Sequence, residues 1–231
     1  VGGNAKIAKK SDARFYASAT EKALIEAPLY EPYYLYGAHP FEAIDTKFVH
    51  ATPSTIDGVL SPGAWTVGDT PFEVIDLKGH APGMLGLLTK KGILYAADAV
   101  LGDEPLDRHA LIFLYDVDAT LATLDRLDGL SMKGMVMAHG GYTEEPERLI
   151  ERNRQRILET RATIATFFGD SSALTFDQLR KRSGEAFDLA ERNVGSFLLN
   201  SSVIKAHLSS LIGAGEITCE VDDGRLLYKR R

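Results

Sequence analysis

Cysteine is almost absent from this chain of 231 residues, where Cys219 is the only one. A single cysteine excludes an intrachain disulfide, which fits a reducing compartment, and we therefore expect a cytoplasmic protein. Long apolar runs are lacking as well, since none approaches the roughly 20 residues of a membrane span. The sequence therefore gives no reason to expect a membrane partner.

An excess of positive charge is also lacking, because the formal net charge is −6. Residues 145–231 carry 14 Lys and Arg against 13 Asp and Glu, a net +1, which leaves −7 for residues 1–144. A nucleic-acid-binding domain normally shows a strongly basic face. Nucleic acid is thus a possible partner of the C-terminal part, but packing or dimerisation is favoured.

Three segments each end a predicted β-strand on a residue that can bind a metal. The first runs from Val74 into Gly79-His80-Ala81-Pro82-Gly83, the second ends at Asp98, and the third ends at His139. Asp98 follows His80 by 18 residues, and His139 follows Asp98 by 41. Each residue alone is weak evidence, but the ordered set predicts three side chains that converge at one sheet edge.

This order of His, Asp and His, together with the Gly-His-x-Pro-Gly element, resembles the second half of the site in metallo-β-lactamase-fold hydrolases. The first half of that family's site is an HxHxDH segment, and no such segment occurs in this sequence. The chain begins Val1-Gly2-Gly3-Asn4, which is similar to the residues that follow the motif. The resemblance implies an α/β fold of the αββα sandwich type with its N-terminal strands missing.

The resemblance also implies roles for individual residues. Asp98 matches the catalytic carboxylate that bridges two metal ions, and His80 and His139 match a ligand of each ion. One or two Zn²⁺ ions are expected, with Fe or Mn as alternatives, and a metal-bound hydroxide would attack an ester-like bond. Thioesters, lactones and phosphodiesters all remain open as small-molecule substrates. His109 and Tyr142, on loops after the ligand positions, are predicted to contact substrate, and solvated loop side chains are the alternative.

Three ligands are few for such a site, because a hydrolytic zinc ion needs at least three protein ligands and an open position. Activity of this chain is therefore in doubt, and the alternative is a non-catalytic binding or scaffold protein with a degenerate metal site. Without N-terminal strands, the inner faces of strands such as 72–77 and 92–96 would be open to water. We expect a homodimer or an N-terminal fragment to cover them.

Two domains are predicted, a hydrolase-like domain over 1–145 and a helical domain over 146–231. In the second, helices over 147–168, from 175 and over 200–214 precede a hairpin over 216–229, an order typical of a winged helix. The third helix carries one strong cation, Lys205, and His207 is predicted to lie at the surface. Residues 28–62, rich in Tyr, Pro and Gly, are predicted to form an irregular loop or lid.

Overall fold

The computed structural model describes residues 2–45, 49–169, 173–191 and 193–231. The helices are α1 (Asn4–Ala8), α2 (Ala19–Glu26), α3 (Tyr30–Tyr36), α4 (Asp103–Arg108), α5 (Val117–Asp128), α6 (Pro146–Ala165), α7 (Phe176–Ala186) and α8 (Val194–Gly213). The strands are β1 (Tyr16–Ala17), β2 (Gly58–Val59), β3 (Gly63–Val67), β4 (Thr70–Asp76), β5 (Leu85–Thr89), β6 (Ile93–Ala97), β7 (Gly134–Met137), β8 (Gly141–Thr143), β9 (Leu174–Thr175), β10 (Ile217–Asp222) and β11 (Arg225–Arg230). None of the helices in these ranges is both long and apolar enough to cross a membrane.

Six strands form the main sheet, in the order β3-β4-β5-β6-β7-β8. Neighbouring strands are antiparallel except β6 and β7, which are parallel and are connected through α4 and α5. As a result β4, β6 and β7 all run in the same direction. Their C-terminal ends therefore meet at one edge of the sheet, where the sequence places His80, Asp98 and His139.

One face of this sheet carries the first hydrophobic core. Leu77, Leu94 and Met135 are fully buried there, beneath Leu124 and Leu127 of α5. Helix α5 forms because apolar residues recur on one side and because the Asp116 carboxylate accepts a hydrogen bond from the Ala119 amide at 3.0 Å.

The opposite face is partly open and is called here the open sheet face. It is a row of apolar side chains paired across neighbouring strands, Leu87 with Tyr95, Tyr95 with Val136, and Val136 with Tyr142. Tyr95 is 49% exposed and Tyr142 is 52% exposed. Side chains of this kind usually mark a surface that another element covers.

The C-terminal half has its own core, formed by α6, α7, α8 and a small sheet of order β10-β11-β9. Thr175 and Gln178 form a capping box that begins α7. Helix α6 contributes Leu149 and Ile157 to the first core and Ile164 to the second. The boundary predicted at 145/146 falls immediately before this shared helix.

Three local predictions were wrong. A helix, α3, lies within the segment 28–62, and it tolerates Pro32 because that residue sits in its first turn, where the backbone amide needs no partner. Helix α8 begins at Val194 rather than at 200, because the Asn193 side chain caps it by accepting from the Ser196 amide at 2.8 Å. His207 is not at the surface but is only 1% exposed, since α8 is buried on several sides.

Candidate metal centre

His80, Asp98 and His139 lie together at the C-terminal edge of the main sheet. The Nε2 atom of His80 is 3.9 Å from Oδ2 of Asp98, and Nε2 of His139 is 3.6 Å from Oδ1. These separations exceed a hydrogen bond. Two atoms that bind one Zn²⁺ at about 2.0–2.2 Å can be up to about 4.4 Å apart, so the distances suit ligands that share an ion.

His80 is held in a fixed orientation by the loop after β4. Gly79, with φ of +135°, turns the chain so that its carbonyl accepts the amides of Tyr115 at 2.7 Å and Asp116 at 3.0 Å. The His80 ring lies edge-on to Phe113, and its Nδ1 atom is 3.1 Å from the Phe113 carbonyl. Because Nδ1–H donates to that carbonyl, the lone pair of Nε2 faces Asp98, the arrangement common behind metal-binding histidines.

Asp98 is aimed by a backbone irregularity at the end of β6. The register between β6 and β7 shifts between Tyr95 and Ala97, and Ala97 has a left-handed φ of +49°. Bulges and strained residues of this type often re-aim a functional side chain.

One oxygen of Asp98, Oδ1, is buried and has no hydrogen-bond partner among the described residues. Leaving a buried carboxylate oxygen without a donor is costly. A cation beside Oδ1 would compensate that cost. The residues present therefore offer a cation two pairs of ligands, Asp98 with His80 and Asp98 with His139.

His139 stands on a loop that packs directly against the loop after β6. The Gly102 amide donates to the His139 carbonyl at 2.9 Å, and a Cβ on Gly140 would lie 2.6 Å from the Gly102 α-carbon. Both loops thus need glycine at their contact. The His139 side chain is 66% exposed, compared with 29% for His80 and 26% for Asp98.

Each carboxylate oxygen of Asp98 faces one histidine, Oδ2 facing His80 and Oδ1 facing His139. Within the ranges that the structure describes, no three or more His, Cys, Asp or Glu side chains are close enough to hold one metal ion together. The two histidines face different oxygens of one carboxylate, which is how a carboxylate bridges two ions. Each ion would then have two ligands from this set, one fewer than a hydrolytic zinc site needs.

Two cavities open beside these residues. The α2–α3 cavity, of about 460 Å³, is bounded by side chains of α2 and α3 together with His80 and Asp98. The α4–α8 cavity, of about 450 Å³, is bounded by side chains of α4 and α8 together with His80, Asp98 and His139. Both volumes lie within the usual range of small-molecule sites.

The two residues predicted to contact substrate lie in different places. His109 lines the α4–α8 cavity with the three metal-binding candidates. Tyr142 belongs to the open sheet face, where its ring covers Gly134 so closely that a Cβ there would lie 2.5 Å from the Tyr142 hydroxyl. The described residues that line the two cavities do not include Tyr142. The substrate roles of His109 and Tyr142 stay predictions.

Sequence reasoning did not single out Glu31 and Tyr34, which line the α2–α3 cavity. Although both keep contact with solvent, desolvation by the surrounding protein raises the pKa of the Glu31 carboxyl to about 7, and the Glu21 carboxylate adds to this rise. Burial also raises the pKa of the Tyr34 phenol. The only sequence signal for them was the tyrosine-rich composition of this segment.

No protein-family model matches the sequence, nor does any curated protein. Solved structures do match. A β-lactamase domain protein from Burkholderia ambifaria is similar with a TM-score of 0.72 and 17% identity, over 100% of this chain and 70% of that one. A metallo-β-lactamase family protein from Thermus thermophilus gives 0.66 and 20% identity, over 95% and 72%.

A metallo-β-lactamase superfamily protein from Sulfolobus tokodaii gives a TM-score of 0.51 and 13% identity, over 90% of this chain and 75% of that one. Identities this low establish the fold and nothing finer. The chain has the metallo-β-lactamase fold, as its sequence predicted.

Proposed function

We propose that this chain is a metal-dependent hydrolase of an ester-like bond in a small molecule. The observation that carries the proposal is the position of Asp98, whose two carboxylate oxygens face two different histidines. The Oδ1 oxygen is also buried without a hydrogen-bond donor among the described residues. Zn²⁺ suits the mixture of imidazole and carboxylate ligands, and Fe or Mn would also be accommodated.

A divalent ion bound there would supply a Lewis acid and would lower the pKa of a coordinated water to about 7. The residues of the chain do the rest. The hydrogen bond to the Phe113 carbonyl keeps His80 in one tautomer, and Asp98 supplies the negative charge that balances the cation. The walls of the two cavities limit the water around the reacting bond and orient the substrate.

The ligand count sets an expectation for activity. Because His80, Asp98 and His139 give each of two ions only two ligands, metal should bind this chain weakly and turnover should be slow. Thioesters, lactones and phosphodiesters are the substrate classes to test. Full occupancy of two metal sites, or rapid chelator-sensitive turnover by the 231-residue chain, would contradict this expectation.

The proposal is tested by titrating the metal-free chain with Zn²⁺ in a calorimeter. We expect His80→Ala, His139→Ala and Asp98→Asn each to weaken binding by at least about tenfold, since even groups that only support ligands commonly contribute 10- to 100-fold. His39→Ala is the matched control, because His39 is exposed and lines neither cavity, and its Nδ1 lies 2.9 Å from the neighbouring Pro40 carbonyl. Equal affinity in all four variants would refute the assignment.

A non-catalytic binding or scaffold protein is the second candidate. It is favoured by the finding that the described residues form no group of three side chains close enough for one metal ion. Activity separates the two candidates. A chain that binds Zn²⁺ through His80 and His139, yet hydrolyses none of the three substrate classes above the rate of Zn²⁺ alone, would be a binding protein.

For the C-terminal half we propose a winged-helix module that packs rather than binds nucleic acid. Its order of helix, strand, two helices and hairpin supports the winged helix. Helix α8 would be the recognition helix, but Lys205 is its one Lys or Arg, and the Lys205 ammonium lies 5.0 Å from the centre of the Phe176 ring. Sub-micromolar binding of duplex DNA or single-stranded RNA that falls steeply with salt would overturn the packing proposal.

A further inference from the structure

The α4–α8 cavity combines the metal-binding candidates with a mainly apolar lining. His80, Asp98 and His139 are three of its lining residues. The apolar residues of the wall include Leu101, Leu111, Phe113, Leu199 and Val203, and its polar residues include Arg108, His109, Ser196 and Asn200. We infer that this cavity binds the apolar acyl group of the substrate and that Leu199 on α8 sets the acyl length. The inference rests on the proposed function, because it assumes that the bond to be cleaved lies beside Asp98.

The cavity is a built part of the fold. Leu111, on the loop between α4 and α5, packs into the second core together with Val203 of α8, and both are nearly fully buried at 7% and 2% exposure. The wall from the first half of the chain and the wall from the second half thus meet in the second core. Leu199, one turn before Val203, keeps partial exposure and faces the cavity.

The first half of α8 is also fixed by buried polar contacts. Arg180 of α7, only 5% exposed, donates from Nε to the Ser201 hydroxyl at 3.0 Å and forms an ion pair with Glu191. Glu191 in turn accepts from the Asn200 side chain at 2.8 Å. Leu199 therefore lies on a helix held in place by these contacts. A residue that limits the length of a bound acyl group needs such a fixed position.

The apolar part of the lining favours an alkyl chain over an anionic ligand. Arg108 lies in the wall, but its guanidinium is 3.0 Å from the Glu104 carboxylate, which offsets its charge. The Asp98 carboxylate would balance part of the charge of a bound divalent ion. Among the substrate classes left open, acyl esters, thioesters and alkyl lactones suit this lining better than phosphodiesters.

The test measures binding of a non-hydrolysable ester analogue, so that it does not depend on turnover. Linear 2-alkanones of five to eleven carbons are titrated into the metal-free chain and into the chain with Zn²⁺, and affinity is followed by calorimetry and amide NMR. Each buried methylene contributes about 0.8 kcal/mol, so affinity should rise about fourfold per added carbon until the cavity is full. Amide shifts should centre on Leu101, Leu111 and Leu199, which line this cavity and not the α2–α3 cavity.

Substitution of Leu199 should then move the length at which affinity stops rising. Leu199→Ala should extend it by one to two carbons, and Leu199→Trp should shorten it. Leu158→Ala is the control, because Leu158 is a 44% exposed side chain of α6 outside the cavity wall, and it should leave the limit unchanged.

Three results would each overturn the inference. The alkanone length at which affinity stops rising could be the same in the Leu199 variants and the parent, affinity could be independent of length, or the amide shifts could centre on the α2–α3 cavity. The two proposals fail separately. Loss of Zn²⁺ binding with the alkanone pattern intact would refute the metal site alone. Normal Zn²⁺ binding without the pattern would refute the acyl cavity alone.

Discussion

Acidification between pH 6.5 and 4 should destabilise this fold through a single buried side chain, His207. It is 1% exposed, its Nδ1 atom has no hydrogen-bond partner among the described residues, and it lies in α8 near the Arg161 guanidinium. Burial, and secondarily repulsion from Arg161, lowers the pKa of His207 from 6.5 to about 4. The native protein therefore keeps this imidazole neutral in a pH range where the unfolded chain protonates it.

The direction and size of the effect follow from proton linkage. Above pH 6.5 both states carry a neutral imidazole, and His207 adds no pH dependence. Between pH 6.5 and about 4 the unfolded state binds the additional proton, so stability falls as pH falls. A pKa lowered from 6.5 to about 4 corresponds to about 3 kcal/mol of stability lost at pH 4, a large share of a typical total of ~5–15 kcal/mol.

Glu31 acts in the opposite direction over part of this range. Its carboxyl pKa is raised from 4.5 to about 7, so the unfolded state loses its proton first and stability falls as pH rises from 4.5 to 7. The pH profile of the parent chain alone would therefore mix two effects of opposite sign. The informative quantity is the difference between the parent and His207→Leu, in which the Glu31 contribution cancels.

The assay is urea unfolding followed by far-ultraviolet circular dichroism at half-unit steps from pH 7.5 to 4. The free energy of unfolding of His207→Leu minus that of the parent should be constant above pH 7 and should grow by about 3 kcal/mol towards pH 4. The urea dependence of unfolding should be the same for both chains, so that the change reflects stability alone. A difference that stays flat between pH 6.5 and 4 would refute the reasoning, because it would mean that His207 titrates normally in the folded state.

Three further predictions concern the loops and faces around the candidate site. Asn153→Ala should lower the free energy of unfolding by about 2–4 kcal/mol, because the buried Asn153 side chain accepts from the Leu101 amide at 3.0 Å and donates to the Leu101 carbonyl at 2.9 Å. Gln155→Ala, on the exposed side of the same helix, should change the melting temperature little. Equal losses of stability in the two variants would contradict this explanation. Gly140→Ala should lower Zn²⁺ affinity more than Gly141→Ala, measured by calorimetry, since an added Cβ meets backbone at 2.6 Å in the first case and open space in the second. The open sheet face should be covered by a second copy or by an N-terminal fragment, and a strictly monomeric species of 25.2 kDa with a cooperative melt in sedimentation and thermal assays would count against this.

The sequence predicted well those features that depend on neighbouring residues and on the order of elements along the chain. A strand was expected over 72–77, and β4 occupies 70–76, with Val74 and Ile75 both buried. The predicted residues at the ends of three strands converge because β4, β6 and β7 point the same way. This direction follows from the antiparallel pairing of β4, β5 and β6 and from the helical connection between the parallel strands β6 and β7. The order and spacing of His80, Asp98 and His139 along the chain therefore predicted their position at one sheet edge.

What could not be predicted depends on contacts between distant parts of the chain. Tyr142 follows His139 by three residues, which suggested a position at the rim of the site. Instead β8 folds back antiparallel to β7, and pairing of Tyr142 with Val136 places it on the open sheet face. His207 looked like a surface residue because its own neighbours in sequence do not reveal that α8 is enclosed by α6, α7 and the small sheet.

The position of Asp98 also depends on the second half of the chain. The loop that follows it is tied at Leu101 to Asn153 of α6, and the same helix extends into the C-terminal core. A displacement of α6 would therefore move the loop that follows Asp98, and a displacement of α8 would move the wall of the α4–α8 cavity. The C-terminal half therefore contributes both to the geometry of the candidate metal centre and to the shape of the α4–α8 cavity. Substitutions in the C-terminal core should then alter Zn²⁺ affinity even though they lie far from His80 and His139.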